Sequence, residues 1–209
     1  MEGVATVRAC ANERIAEAIA ARRYAIVSDF LSPADTLALR GEAQRHARDG
    51  RLVPAGVGRG AARVERHDIR GDRILWLAET SEIPAERTLR AALEALRLAI
   101  NRELSLGLFD IEAHYAHYLP GACYARHRDR FRDDDARVLS GVLYLNDDWH
   151  AEEGGALRLY VDAASYRDVL PAGGTLVLFL SAEIEHEVLP ATRSRWSIAG
   201  WFRRRPRAP

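Results

Sequence analysis

From Phe109 onward the chain breaks into short apolar runs separated by turns, and this punctuation limits the fold more than any other feature. The runs cover roughly 111–118, 122–129, 137–145, 155–161, 167–170, 174–180, 184–189 and 195–202. Eight short strands with turn signals between them suggest a jelly roll or another closed β architecture. The half before Phe109 reads differently. Asn12 to Arg23 carries Ile15, Ala16, Ile19 and Ala20 at helical spacing, and Tyr24 to Phe30 reads as a short strand. Ser32 as N-cap and Pro33 at the first helical position open a helix that runs to about Asp49-Gly50. Gly50 to Arg63 is a glycine-rich loop, and the charged turn Asp68 to Arg73 leads into a strand from Ile74 to Leu77. A long helix from about Ile83 to Leu104 carries one apolar stripe, Leu89, Leu93, Leu96 and Ile100, suited to packing on a sheet. The fold class is therefore α+β, with a helical support over about 12–104 and a β-core over about 109–203. No linker separates the two, so 1–209 reads as one domain.

Charge and cysteine content narrow the function classes. Lys+Arg and Asp+Glu are 30 each, so the formal net charge is zero, which argues against a general nucleic-acid or membrane surface. The chain contains no lysine, and all its Lys/Arg-type charge is arginine. Arg126, Arg128, Arg130 and Arg132 resemble a basic cluster, but Asp129 and Asp133 to Asp135 offset them, giving a solvated mixed-charge face. Cys10 and Cys123 form no CxxC pair, which fits reduced thiols in a cytoplasmic protein. Met1 to Asn12 lacks the basic and apolar regions of a signal peptide. No apolar run approaches the ~18 residues that a membrane span needs.

Seven histidines are present, and His46, His67 and His150 sit in polar surroundings that suit a surface. His114 and His117 lie on one expected strand and face opposite sides. A lone histidine is more often structural than a ligand. His127 differs because Asp129 follows two residues later, and residues two apart on a strand share a face. HxD alone is a weak signal. It is strengthened by His186, which follows the apolar strand Thr175 to Leu180. Two histidines and one carboxylate on one side of a metal leave open positions, the facial arrangement of non-haem Fe(II) oxygenases. The absence of thiol ligands makes a structural zinc site less fitting.

Arg195 begins a strand on which Arg195, Ser197, Ala199 and Trp201 share one face and Trp196, Ile198, Gly200 and Phe202 the other. If the first face lines the interior, Arg195 is a buried charge and needs a partner. A small diacid could supply a carboxylate matched to the guanidinium, with Ser197 adding a hydroxyl. A salt bridge to a protein carboxylate is the plainer alternative. Val138, Ser140, Val142 and Tyr144 share a face of the strand 138–145, and an inward Tyr144 hydroxyl needs a partner too. Tyr118 and Tyr124 flank the Leu119-Pro120-Gly121 turn and can reach the same pocket, or serve as ordinary core tyrosines.

Several stretches together carry a family likeness: Asp68 to Trp76, Tyr118 to Asp129, Tyr144-Leu145-Asn146-Asp147-Asp148-Trp149, Gly154 to Leu159, and His186 to Phe202. With these the chain resembles an Fe(II)/2-oxoglutarate-dependent dioxygenase of the prolyl 4-hydroxylase superfamily, nearest to bacterial relatives of the oxygen-sensing prolyl-hydroxylase-domain enzymes. That resemblance implies a double-stranded β-helix, iron held by His127, Asp129 and His186, and the distal carboxylate of 2-oxoglutarate held by Arg195 and Tyr144. Tyr118 would line the cosubstrate pocket, with Ser197 and Tyr124 beside it. Arg195 comes nine residues after His186, as in the oxygen-sensor group; collagen-type enzymes place a lysine one residue later. Arg137, Trp76 and Trp201 match positions at the substrate entrance, Asp72 matches a carboxylate that braces the arginine, and the loop 50–66 would lie over the mouth.

The activity so implied consumes 2-oxoglutarate and O2, releases succinate and CO2, and hydroxylates a prolyl residue of a protein, with ascorbate as a candidate reductant. Translation components are the first candidate substrates. Hydroxylation of a small molecule or free amino acid is the alternative within the enzyme class. A halogenase is disfavoured because Asp129 supplies a carboxylate those enzymes lack. A silent 2-oxoglutarate or metal sensor is the reading from another class, and the complete set His127, Asp129, His186 and Arg195 counts against silence.

Overall fold

A computed structural model of the chain describes residues 2–58, 64–66, 68–130 and 136–205, with the side chains of residues 2–10 left out. Its helices are α1 (Glu2–Arg22), α2 (Pro33–Arg48) and α3 (Pro84–Leu104). Ten residues of α1 precede the expected start at Asn12. No proline or glycine interrupts Val4 to Arg22, and the alanine content there favours helix throughout. Ser32 caps α2 as expected, accepting a hydrogen bond from the Asp35 backbone N–H at 3.1 Å, with Pro33 following in the first turn. At the far end of α3, Asn101 clamps the helix to the next strand: its Oδ1 accepts from Leu108 N at 2.8 Å and its Nδ2 donates to Leu108 O at 2.7 Å.

The strands are β1 (Tyr24–Val27), β2 (Val53–Pro54), β3 (Asp72–Trp76), β4 (Leu108–Tyr118), β5 (Tyr124–His127), β6 (Arg137–Tyr144), β7 (Leu157–Tyr160), β8 (Tyr166–Val169), β9 (Leu176–Leu180), β10 (Glu185–Val188) and β11 (Arg195–Arg204). All eight runs expected after Phe109 are strands. With β1, β2 and β3 they form two antiparallel sheets of a jelly roll, ordered β1-β9-β6-β11-β4-β3-β2 and β5-β10-β7-β8. β1 stops short of the expected Phe30, where Asp29 takes a left-handed φ of 55°. The region 50–66 contains β2 and a bridge between Val57 and Val64. Its residues 59–63 lie outside the described residues, as do His67 and the 131–135 part of the mixed-charge cluster.

Both faces of the large sheet are buried, each against a different layer. Leu176 and Leu178 of β9 pack with Leu39, Leu89, Leu96 and Ile100 on the helical side, while Val177 and Phe179 join Leu157, Leu159 and Val188 of the small sheet. A strand buried on both sides needs a continuous apolar run, and Leu176 to Leu180 supplies one. In β11 the same alternation sends Trp196, Ile198 and Phe202 to the helical layer. His46, expected at the surface, is instead 3% exposed. It shares one face of α2 with Thr36, Leu39 and Ala43, its ring centroid lies 5.8 Å from that of Tyr115, and Arg51 meets its Nδ1 at 3.0 Å. The polar neighbours of His46 in sequence fall on the other faces of the helix.

Candidate active site

The small sheet sets two histidines side by side. His127 on β5 and His186 on β10 are direct cross-strand partners, and their ring centroids are 4.2 Å apart. β5 ends at His127, so Asp129 stands in the bend beyond it and not on the expected strand. The bend nevertheless brings the carboxylate to both rings: Oδ1 is 3.4 Å from His127 Nε2 and Oδ2 is 3.6 Å from His186 Nε2. Donor atoms of all three lie within 4.8 Å of one another.

The second contacts of these groups suit a metal. His127 Nδ1 meets Ala125 O at 2.8 Å, and His186 Nδ1 meets Ile184 O at 3.4 Å. A ring that donates Nδ1–H to a carbonyl keeps the Nε2 lone pair for a metal. Burial lowers His186 to about 4, which keeps its imidazole neutral. For Asp129 burial opposes ionisation, but His186, His127 and the Ser140 hydroxyl outweigh it and hold the carboxyl well below its ordinary range. Ser140 Oγ donates to Asp129 Oδ2 at 2.7 Å and lies 2.8 Å from Ser181 Oγ. Tyr124 stacks on the His127 ring at 3.7 Å, and Phe179 packs 4.5 Å from the His186 ring.

Between the sheets, the inward face of β11 leads away from this trio to Arg195, which is 1% exposed. Its Nε donates to Gly155 O at 2.9 Å and its Nη1 to Ser197 Oγ at 3.4 Å. The guanidinium lies 5.2 Å from the Tyr118 ring and 5.1 Å from the Tyr144 ring. Among the described residues no carboxylate pairs with it, so the salt bridge weighed from sequence is not formed there. Arg195 Nη2 and Tyr144 Oη are both buried without a partner. Burial raises Tyr144 to about 12, so its hydroxyl keeps its proton and can donate. Arg195 lines the same pocket as the trio, and a buried charged donor left unpaired there fits an incoming carboxylate.

The chain is 44% identical to a Pseudomonas putida prolyl-4-hydroxylase of known crystal structure, over 93% of this chain and 99% of that one, with a TM-score of 0.85. It belongs to the 2OG-Fe(II) oxygenase superfamily. The profile of that superfamily matches residues 113–203 of this oxygenase, which include the trio and Arg195. A Trichoplax adhaerens prolyl hydroxylase, in complex with a hypoxia-inducible-factor oxygen-degradation-domain peptide fragment, shares the fold at a TM-score of 0.89 and 23% identity, over 97% of this chain and 93% of that one. Human Egl nine homolog 1 is 34% identical over 145 residues, 65% of this chain and 33% of that protein. The chain thus spans about a third of the length of that curated relative.

The mouth of this oxygenase is a cavity of about 310 Å³ bordered by Val57, Trp76, His114, Arg137 and Trp201, with His127 and Asp129 at its inner side. Trp76 is 47% exposed, and its ring centroid lies 6.2 Å from that of Trp201. Arg137 covers the Trp201 ring at 3.4 Å. The expected brace between Asp72 and Arg137 is corrected here. Asp72 forms a two-pronged pair with Arg70, at 2.7 and 3.0 Å, while Arg137 Nε and Nη2 both meet Glu112 Oε1 at 3.1 Å. Register explains the exchange: Asp72 is opposite Tyr118 at one end of β4, whereas Arg137 lies near Glu112 towards the other end.

Sequence reading passed over Arg70, Ser140, Gly155 and His114. Arg70 lies over the Tyr124 ring at 4.8 Å and so supports the ring that stacks on His127. From sequence His114 reads as an isolated histidine. It sits two and four residues before Ala116 and Tyr118 on the inward face of β4, and that period-two relation was the signal for it.

Proposed function

We propose that this oxygenase hydroxylates a prolyl residue within a peptide or protein. When bound, Fe(II) with 2-oxoglutarate and O2 supplies oxidative decarboxylation to succinate and CO2 and the hydroxylation of a C–H bond. In this reading His127, Asp129 and His186 are the metal ligands, with Ser140 and the Ala125 and Ile184 carbonyls fixing their orientation. Arg195, Tyr144 and Ser197 hold the distal carboxylate of 2-oxoglutarate. Tyr118 walls that end, and Tyr124 keeps His127 in place from the solvent side. The apolar lining of Leu157, Val142 and Val188 excludes water from the reacting centre.

The observation that carries the reading is Arg195 Nη2, buried without a partner in the same pocket as the three metal-ligating side chains, with the Tyr144 ring 5.1 Å from its guanidinium. Similarity to prolyl hydroxylases supports the substrate class, as does the open mouth with its aromatic walls, which suits a pyrrolidine ring. The peptide bound to the Trichoplax adhaerens enzyme supports a chain-like substrate. Translation components remain the first candidates to test. Ascorbate as the reductant rests on the family resemblance alone, and the two cysteines without a CxxC pair support a cytoplasmic setting.

The test is direct. Iron-loaded protein converts 2-oxoglutarate to succinate, and proteome mass spectrometry with and without the protein reveals prolines heavier by one oxygen. His127→Ala, Asp129→Ala and His186→Ala each abolish both signals while keeping the fold. Near-wild-type turnover in any of the three removes the ligand assignment; hydroxylation confined to a free metabolite removes the peptide substrate.

A further inference from the structure

The inward face of β4 reads, from the deep end outward, Tyr118, Ala116, His114 and Glu112. Tyr118 faces Arg195 and Ala116 faces Ser197 on β11, so this half belongs to the cosubstrate end. His114 faces Ala199 on β11 and Trp76 on β3. At ~3.3 Å per residue it stands ~13 Å along the strand from Tyr118, beside the mouth. Trp201 is opposite Ser140 on β6, and Ser140 donates to Asp129, so this part of the wall adjoins the metal ligands.

Three rings make this wall. His114 lies 4.9 Å from Trp76, edge-on, and 5.5 Å from Trp201, while Arg137 closes over the outer side of Trp201. His114 is 1% exposed and Trp201 is 6% exposed. Both nevertheless leave a nitrogen buried without any hydrogen-bond partner, His114 Nδ1 and Trp201 Nε1. Most buried polar atoms in folded proteins are paired, so two orphans in one wall ask for a ligand that pairs them. They are separate from the Arg195 and Tyr144 orphans, which the cosubstrate accounts for.

The chemistry of the wall restricts that ligand. An indole N–H only donates, and burial pushes His114 down to about 3, so the imidazole is uncharged and can donate through one nitrogen. Arg137 is paired with Glu112, whose other oxygen meets Arg203 Nη1 at 2.8 Å. The two buried donors match an acylated proline, which has a flat apolar ring, carbonyl acceptors on both sides and no backbone N–H of its own. A free amino acid would bring an ammonium, a donor that neither the His114 N–H nor the indole N–H can pair.

We propose that His114 is a specificity-determining residue of the substrate wall, hydrogen-bonding through Nδ1 to the backbone of an internal, acylated proline held against Trp76 and Trp201. This rests on the prolyl-hydroxylase reading above and adds to it the residue that separates peptide-bound from free proline.

The test measures binding by calorimetry under anaerobic conditions, with Fe(II) and 2-oxoglutarate present. The probes are capped peptides N-acetyl-X-Pro-Gly-amide, X varied, with free proline for comparison. Wild-type protein binds at least one capped peptide more tightly than free proline. His114→Leu weakens that peptide about tenfold, the order expected for one buried hydrogen bond lost. Its 2-oxoglutarate affinity stays at the wild-type value. His114→Asn, whose amide stands near the Nδ1 position, keeps peptide affinity; His114→Gln, which reaches past it, does not. Equal peptide affinity in wild type and His114→Leu overturns the proposal and leaves the prolyl reading intact. Should His114→Leu fail to fold, the Asn and Gln pair decides, and Asn binding no better than Gln overturns it. Wild-type protein that binds 2-oxoglutarate but no capped prolyl peptide overturns both readings.

Discussion

Ser140 Oγ donates a 2.7 Å hydrogen bond to Asp129 Oδ2, joining β6 of the large sheet to a carboxylate that stands beyond the end of the small one. Asp129 follows a strand without being part of it, so this bond and the two histidines fix its direction. Outer partners of metal ligands contribute about 10- to 100-fold in metal affinity. Ser140→Ala is expected to lower Fe(II) affinity by that order without unfolding the protein, since Ser181 remains beside the vacated position. Anaerobic Fe(II) titration with thermal melts measures it; unchanged affinity would leave Asp129 held by the bend alone.

Arg195 and Arg193 provide a matched comparison. Arg195 is 1% exposed, whereas the Arg193 side chain is 37% exposed and meets Glu153 at 3.0 Å on the surface. Removing one partner of a buried charge-assisted pair costs about 2–5 kcal/mol, and a surface pair less than ~1 kcal/mol. Titration of 2-oxoglutarate into Arg195→Ala and Arg193→Ala is expected to show the larger loss for Arg195. The opposite order would mean that the cosubstrate arginine is misassigned.

Gly155 holds Arg195 from behind. Its carbonyl accepts from Arg195 Nε, and its φ is +71°. A Cβ there would stand 2.9 Å from Ala191 Cβ, 3.0 Å from Trp149 Cζ2 and 3.5 Å from Arg195 Cδ. Gly155→Ala is therefore strained in the backbone and crowded against Ala191 and Trp149, with a cost of about 1–3 kcal/mol. Because relief of that strain shifts the carbonyl that accepts from Arg195 Nε, 2-oxoglutarate affinity is expected to fall along with the melting temperature. Loss of stability with full cosubstrate affinity would show that Arg195 is held by Ser197 and packing alone.

Buried neutral histidines make stability depend on pH. Burial, then the nearby Arg73, lowers His117 from 6.5 to about 4. The unfolded chain binds that proton more readily, so stability is full above pH 6.5 and declines as pH falls from 6.5 towards 4. One such histidine contributes up to about 1.4 kcal/mol per pH unit in that window. His117 stacks on Trp196 at 3.6 Å, so a phenylalanine can keep the contact. Urea unfolding of metal-free protein at pH 7 and pH 5 is expected to show a smaller acid loss in His117→Phe than in wild type. An equal loss would assign the acid sensitivity elsewhere.

The sequence exposed what depends on neighbours along the chain. The eight strands after Phe109, the Ser32 cap and the α3 stripe follow from local periodicity, and His127, Asp129, His186 and Arg195 follow from spacing joined to a family likeness. What failed was relational. Asp72 went to the wrong arginine because partner choice depends on which end of β4 each side chain reaches. His46 went to the surface because its chain neighbours are polar, although Thr36, Leu39, Ala43 and His46 already trace one helical face. Asp129 reached the right place for a partly wrong reason: a bend, and not strand alternation, turns it towards His127. The orphaned nitrogens of His114 and Trp201 could not be anticipated, since an unpaired atom is known only once every neighbour is known.

β11 also acts as a fixed ruler. It carries Arg195 and Trp201 on one face, six residues apart, a separation of ~20 Å at ~3.3 Å per residue. Both ends are held in hydrogen-bonded register, against Tyr118 and Glu112 on β4. The gap between cosubstrate anchor and substrate wall therefore cannot be adjusted by loop length or hinge movement. On the proposed reading, a new substrate preference would come from side chains at positions 76, 114 and 201, while the cosubstrate end stays as it is.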